Sequence, residues 1–269
     1  DLRKAVKQEN PDAVIIGEVW EDATTKFAYG KRRRYLLGEQ LDSVMNYPFA
    51  DAVLNFVRFP NANAFFDSVM SVVENYPPQV TNVLMNHIGT HDTERATSRL
   101  AGEDCKGYGR QWQHEHDRLG EYEYLKGVSM MKIASLIQYT LPGVPSLYYG
   151  DEAGMQGLRD PFNRECMNWD KPNEELHRWY KRLGEIRMGC KVFAHGEFVP
   201  VYSNHKTIAY LRSDEDSEVL VAVNLDDTDV DIFVGEQWDN SYNFFDAKAE
   251  NGYIHLEPTR YTMLTRVKQ

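Results

Sequence analysis

Residues 127–152 read GVSMMKIASLIQYTLPGVPSLYYGDE. Apolar residues recur at helical spacing from Gly127 to Thr140, and Pro142-Gly143 stops the run. VPSLYY (144–149) then reads as a short strand, closed by Gly150-Asp151-Glu152. A helix leading straight into a short apolar strand is the repeating unit of a parallel sheet with covering helices.

The unit recurs on both sides. LRKAVKQE (2–9) is the end of an amphipathic helix. Asn10-Pro11-Asp12 turns the chain, because a residue before proline is pushed out of the helical region. AVIIG (13–17) has the composition of a strand buried on both faces, and it ends in Glu18-Val19-Trp20. LDSVMN (41–46) is a second strand, followed by helical text through Phe56. A helix over 64–75 stops at Tyr76-Pro77-Pro78, and a third strand opens at 83–85. A last helix spans 174–189. The long polar segment 102–126 reads as a loop, functional or mobile. From about residue 192 the text is β-rich, with runs at 207–212, 219–224, 230–234 and 262–266 between Asp, Asn and Gly turns. The expected fold class is α/β over residues 1–191, followed by an antiparallel β-sandwich over 192–269.

Composition narrows the partners. The 41 acidic and 30 basic side chains leave a net charge of −11, which repels phosphate backbones and argues against a nucleic-acid partner. The basic run Lys31-Arg32-Arg33-Arg34 is short and isolated, as in a solvated turn. No apolar run approaches the ~20 residues that span a bilayer, so no membrane partner is expected. Cys105, Cys166 and Cys190 form neither a disulfide framework nor a metal-knuckle spacing. Free thiols suit a reducing compartment, hence a cytoplasmic setting. The chain starts at Asp1, inside a helix, so the lack of a leader carries no weight.

In such a domain reactive groups gather where strands end. Four strand ends carry Glu18, Asn46-Tyr47, His91-Asp92 and Asp151-Glu152. Two carboxylates and a histidine on one rim suit acid/base work on a neutral substrate. Glu18 precedes Trp20, and a carboxyl beside an apolar ring is partly desolvated, which favours the protonated form a general acid needs. His91 and Asp92 read equally as hydroxyl-binding groups or as a rim histidine with a helix cap. His87 reads as structural, and His114 and His116 as solvated. No set has convincing metal-ligand spacing.

Four segments together resemble the α-amylase family. IIGEVW (15–20) is similar to its fifth-strand segment, which ends in the general acid/base. GTHDTER (89–95) resembles the seventh-strand motif, and GVPSLYYGDE (143–152) the eighth-strand segment. DPFNR (160–164), with Trp169 and Asp170, is similar to the loop that follows. QLDSVMNYPF (40–49) resembles the neopullulanase, cyclomaltodextrinase and maltogenic amylase branch.

The resemblance implies the second half of a (β/α)8 barrel, strands five to eight, in a retaining α-glucan hydrolase. It implies Glu18 as acid/base and His91 and Asp92 as transition-state stabilisers. It also implies Trp20, Tyr47, Asp160 and Arg164 as contacts to an α-glucan oligosaccharide. The family's Gly-x-Arg-x-Asp nucleophile motif does not occur here. The expectation is therefore an inactive C-terminal piece without its own cofactor. A calcium site would belong to the missing part, and self-association is expected through unpaired barrel edges. The alternative is a non-catalytic glucan-binding or interaction protein of the same fold.

Overall fold

The structure, a computed structural model, describes residues 1–268. The helices are α1 (Leu2–Glu9), α2 (Tyr47–Arg58), α3 (Ala62–Asn75), α4 (Pro78–Thr81), α5 (Ala96–Ala101), α6 (Arg110–His116), α7 (Glu121–Thr140), α8 (Glu174–Gly189) and α9 (Val192–His195). The first strands are β1 (Ile16–Gly17), β2 (Phe27–Ala28), β3 (Lys31–Arg32), β4 (Ser43–Val44), β5 (Met85–Asn86) and β6 (Val144–Pro145). Eight more follow: β7 (Glu197–Asn204), β8 (Thr207–Ser213), β9 (Ser217–Asn224), β10 (Val230–Phe233), β11 (Tyr242–Asn243), β12 (Ala249–Glu250), β13 (Tyr253–Leu256) and β14 (Arg260–Val267).

Parallel pairs β1–β4 and β5–β6 are joined by a parallel bridge between Met45 and Met85, giving the order β1-β4-β5-β6. Asparagine side chains close the inner joints. Asn46 Nδ2 donates to Asn86 Oδ1 at 2.8 Å, and Asn86 Nδ2 donates to the Pro142 carbonyl at 2.7 Å. Helices start where such side chains cap free N–H groups: Asn46 caps α2, Asn61 caps α3 and Asn173 caps α8. Helix α7 packs closely on α5 because residue 127 is glycine; a Cβ there would meet Thr97 Cγ2 at 2.9 Å.

The strands are not buried on both faces as the apolar runs suggest. Val14 is 57% exposed, Ile16 43% and Val144 50%. Strands β1 and β6 are the outer strands of the ladder, and their free sides meet solvent. The paired portions are also only two residues each, because rim turns begin at once. The segment 102–126 is not one loop either. It holds α6 and the first turns of α7, and Tyr108, Trp112 and His116 stack in succession at 4.0 and 4.2 Å. The basic run lies on the exposed β2–β3 hairpin, as a solvated turn should.

After α9 the chain builds two antiparallel sheets, ordered β11-β14-β9-β8-β7 and β10-β13-β12. Strand β9 is buried on both faces. Val219, Val221 and Val223 join the helical core, while Leu220 and Ala222 face the smaller sheet. Arg212 is fully buried and donates to the carbonyls of Thr140 and Gly196, both at 2.8 Å. It satisfies the carboxyl end of α7, and burial pushes its guanidinium down to about 9. The helix feeding β6 is thus pinned to the sheet beneath it. Among the described residues no helix is long and apolar enough to cross a membrane.

Candidate active site

Glu18 follows β1 directly, so its carboxylate stands at the carboxyl end of the ladder. It accepts a hydrogen bond from Trp20 Nε1 at 3.1 Å and another from the Tyr47 hydroxyl at 3.5 Å. The Trp20 and Tyr47 rings stack at 4.1 Å and 15°. Trp20 is 50% exposed, whereas Tyr47 beneath it is 4% exposed. Tyr47 therefore offers its hydroxyl, not its ring face, to the rim. The expected desolvation of Glu18 by Trp20 is not what the structure has. Glu18 is exposed, and the indole presents its polar edge, whose N–H donates to the carboxylate.

His91 and Asp92 lie on the rim turn after β5. His91 Nε2 is 3.2 Å from Asp92 Oδ2, and Arg164 Nη2 donates to Asp92 Oδ1 at 3.2 Å. Arg164 Nε contacts Asp160 Oδ1 at 2.9 Å and the His91 carbonyl at 3.0 Å. Four residues singled out from sequence thus form one polar cluster. The helix-cap alternative for Asp92 fails, because α5 starts four residues later without a side-chain cap. Burial raises the Tyr47 hydroxyl above its usual range; a Thr90 hydrogen bond opposes this, and the Glu18 and Asp92 carboxylates add to it. Tyr47 is therefore a hydrogen-bond donor lying in the field of both carboxylates. His87 packs edge-on against Tyr47 at 4.5 Å and is buried, as a structural histidine is. Trp169 is exposed on the loop after Arg164.

Sequence reasoning missed two supports of this cluster. Asn163 is fully buried, and its Nδ2 donates to the carbonyls of His91 at 2.8 Å and Thr93 at 2.7 Å. It fastens the turn bearing His91 and Asp92 to the loop bearing Asp160 and Arg164. Asn163→Ala is expected to cost about 1–3 kcal/mol in urea unfolding, because it orphans buried carbonyls. An unchanged midpoint would show the turn holds itself.

The second support is the pair Arg95–Asp151, at 3.5 Å; Asp151, expected from its strand end to be a rim group, is instead buried at 1% exposure, and only its pairing with Arg95 was missed. The Arg95 guanidinium lies over the Tyr148 and Tyr149 rings, 4.3 and 4.6 Å from their centroids, and donates to the Tyr149 carbonyl. Gly89 makes room for it, since a Cβ there would stand 2.6 Å from Asp151 Oδ2. The two glycines flanking these motifs, Gly89 and Gly150, were the available signal.

Residues 1–182 match the family described as "Alpha amylase, catalytic domain". The chain belongs to the alpha-amylase family. This alpha-amylase-family chain is 34% identical over 232 residues to a cyclomaltodextrinase of Bacillus sp, covering 84% of the chain and 36% of the relative. It is 33% identical over 263 residues to a cyclomaltodextrinase of Thermoanaerobacter pseudethanolicus, covering 96% and 40%. A solved cyclomaltodextrinase structure superposes with a TM-score of 0.78 at 29% identity, covering 99% of the chain and 42% of that structure. The chain spans about two-fifths of the length of these relatives. Among the described residues no group of three or more His, Cys, Asp or Glu could hold a metal ion.

Proposed function

We propose that this chain supplies the acid/base half of a retaining α-glucan hydrolase, acting on maltodextrins or related glucans. The observation carrying the reading is Glu18 at the carboxyl end of β1, held by the Tyr47 hydroxyl, with the Asp92–Arg164–Asp160 cluster on the turns after β5 and β6. In this reading Glu18 protonates the oxygen that leaves. Asp92 and His91 hold the sugar beside the broken bond, and Asp92 stabilises its developing positive charge. Trp20 offers an exposed ring to a sugar face, and Asp160 and Arg164 contact the next unit. A retaining glycosidase needs a second carboxylate about 5 Å from the acid, to form the glycosyl intermediate. That group comes from residues outside this chain, together with barrel strands one to four and any calcium they hold. Residues 1–191 act as strands five to eight with their helices, and residues 192–269 as the β-sandwich behind them. The exposed apolar edges at β1 and β6 support the same division.

Two outcomes test the reading. The 269-residue chain alone releases no reducing sugar from maltohexaose. Joined to the remaining strands it releases products in the α configuration, read by proton NMR; β products would refute retention. The edges give a further prediction: the isolated chain forms concentration-dependent oligomers in light scattering, because unpaired apolar strands recruit one another. A monomer at every concentration would show the edges are closed some other way.

A further inference from the structure

A cavity of about 590 Å³ opens beside Trp20 and Asp92 and leaves the rim along the outer side of α2. Asp51 and Asn55 line it one turn apart on α2, and Phe59, the residue just past the helix end, lines it as well. From Asp51 to Arg58 the helical part of this wall rises about 10 Å at 1.5 Å per residue, more than one sugar ring. The facing wall is the 103–106 segment. Arg58 braces that wall by donating to the carbonyls of Arg99 and Gly102. Buried Leu54, Cys105 and Leu158 supply apolar surface inside the groove.

Four of its nine charges are paired with one another. Arg99 holds Asp51 at 2.6 Å, and Arg159 holds Glu94 at 2.7 Å. Burial works to raise the Glu94 carboxyl, but the Cys105 thiol and Arg159 override it and keep it ionised below its usual range. Five carboxylates and four cations line the groove, so it favours neither a polyanion nor a polycation. Fixed carboxylate and guanidinium groups around apolar patches match a ligand with hydroxyl edges and apolar faces. Phe59 is 67% exposed; the Arg58 guanidinium lies 5.1 Å from its ring centroid, and the remaining ring surface is open to solvent.

We propose that this groove is a second α-glucan track, in which the part of a neutral glucan running past the catalytic rim lies along α2, with one glucosyl ring stacked on Phe59. This rests on the function proposed above and extends it, since Trp20 and Asp92 belong to both the rim and the groove.

Hydrogen–deuterium exchange on the Glu18→Gln form of the barrel completed by its remaining strands, with maltose and then maltohexaose, tests it. Maltose protects only the rim turn 86–95, whereas maltohexaose also protects 102–107. Phe59→Ala removes the second protection and weakens maltohexaose about tenfold, as loss of one aromatic stack should. It leaves maltose binding unchanged, and Phe59→Trp restores the longer sugar. Rim protection without protection at 102–107, or equal maltohexaose affinity in Phe59→Ala, overturns the track and leaves the proposed function standing. No rim protection by either sugar overturns both.

Discussion

Glu18→Gln is expected to lower maltohexaose cleavage by about 10²–10⁴-fold, the range lost with a general acid. The assay uses the barrel completed by its remaining strands. Glutamine keeps the length and the oxygen that accepts from Trp20 Nε1 and the Tyr47 hydroxyl, so the surrounding stack stays in place. What it lacks is a proton for the departing sugar oxygen. The side chain is exposed, so the unfolding free energy should change by no more than about 0.5 kcal/mol. Lost rate with unchanged stability separates chemistry from folding. A fluoride leaving group needs no proton, so α-maltosyl fluoride should retain most of its first-step rate in the variant. Glu18→Gln cleaving maltohexaose within a few-fold of the parent would remove Glu18 from the mechanism.

A second large effect lies in the dependence of stability on pH. Burial pushes the Asp151 carboxyl from 3.8 up to about 7, against the pull of Arg95. Folding therefore favours its protonated form; that stability is complete below pH 3.8 and is lost as pH rises to about 7. Burial pushes the His87 imidazole the other way, from 6.5 down to about 4, with the Asp51 charge opposing. Folding favours neutral His87; that stability is present above pH 6.5 and is lost as pH falls to about 4. The shifts correspond to about 4 and about 3 kcal/mol, and in the shared window they have opposite slopes.

The parent chain should therefore show only a shallow contribution from this pair of groups. Asp151→Asn removes the Asp151 contribution, so stability relative to the parent rises with pH between 3.8 and about 7. His87→Gln removes the His87 contribution, so relative stability falls as pH rises from about 4 to 6.5. Urea midpoints at four pH values read both, and differences against the parent cancel every other titrating group. Parallel profiles for all three proteins would show that neither group is perturbed by its site.

How much of this could be read beforehand depends on the distance over which each feature is encoded. Helix α8 runs from 174 to 189 as its apolar spacing indicates, because spacing and the Asn173 cap are local. Glu18, His91 and Asp92 were legible because strand ends carry them. The contacts between them were not: the Tyr47–Glu18 hydrogen bond spans 29 residues, Asn163–His91 spans 72 and Arg95–Asp151 spans 56. No local pattern distinguishes Asn163 from any other loop asparagine.

By itself the sequence determined the alternation of helix and short strand through residue 189, the β-rich text after 192, the motif residues and the absence of a Gly-x-Arg-x-Asp segment, since each is written in consecutive or periodic residues. Only the tertiary structure decided that Trp20 meets Glu18 through its N–H, that Tyr47 lies buried beneath it, and that a groove leaves the rim toward Phe59. Those outcomes depend on which side chains distant segments bring within hydrogen-bonding and packing distance, and such contacts leave no periodicity to read.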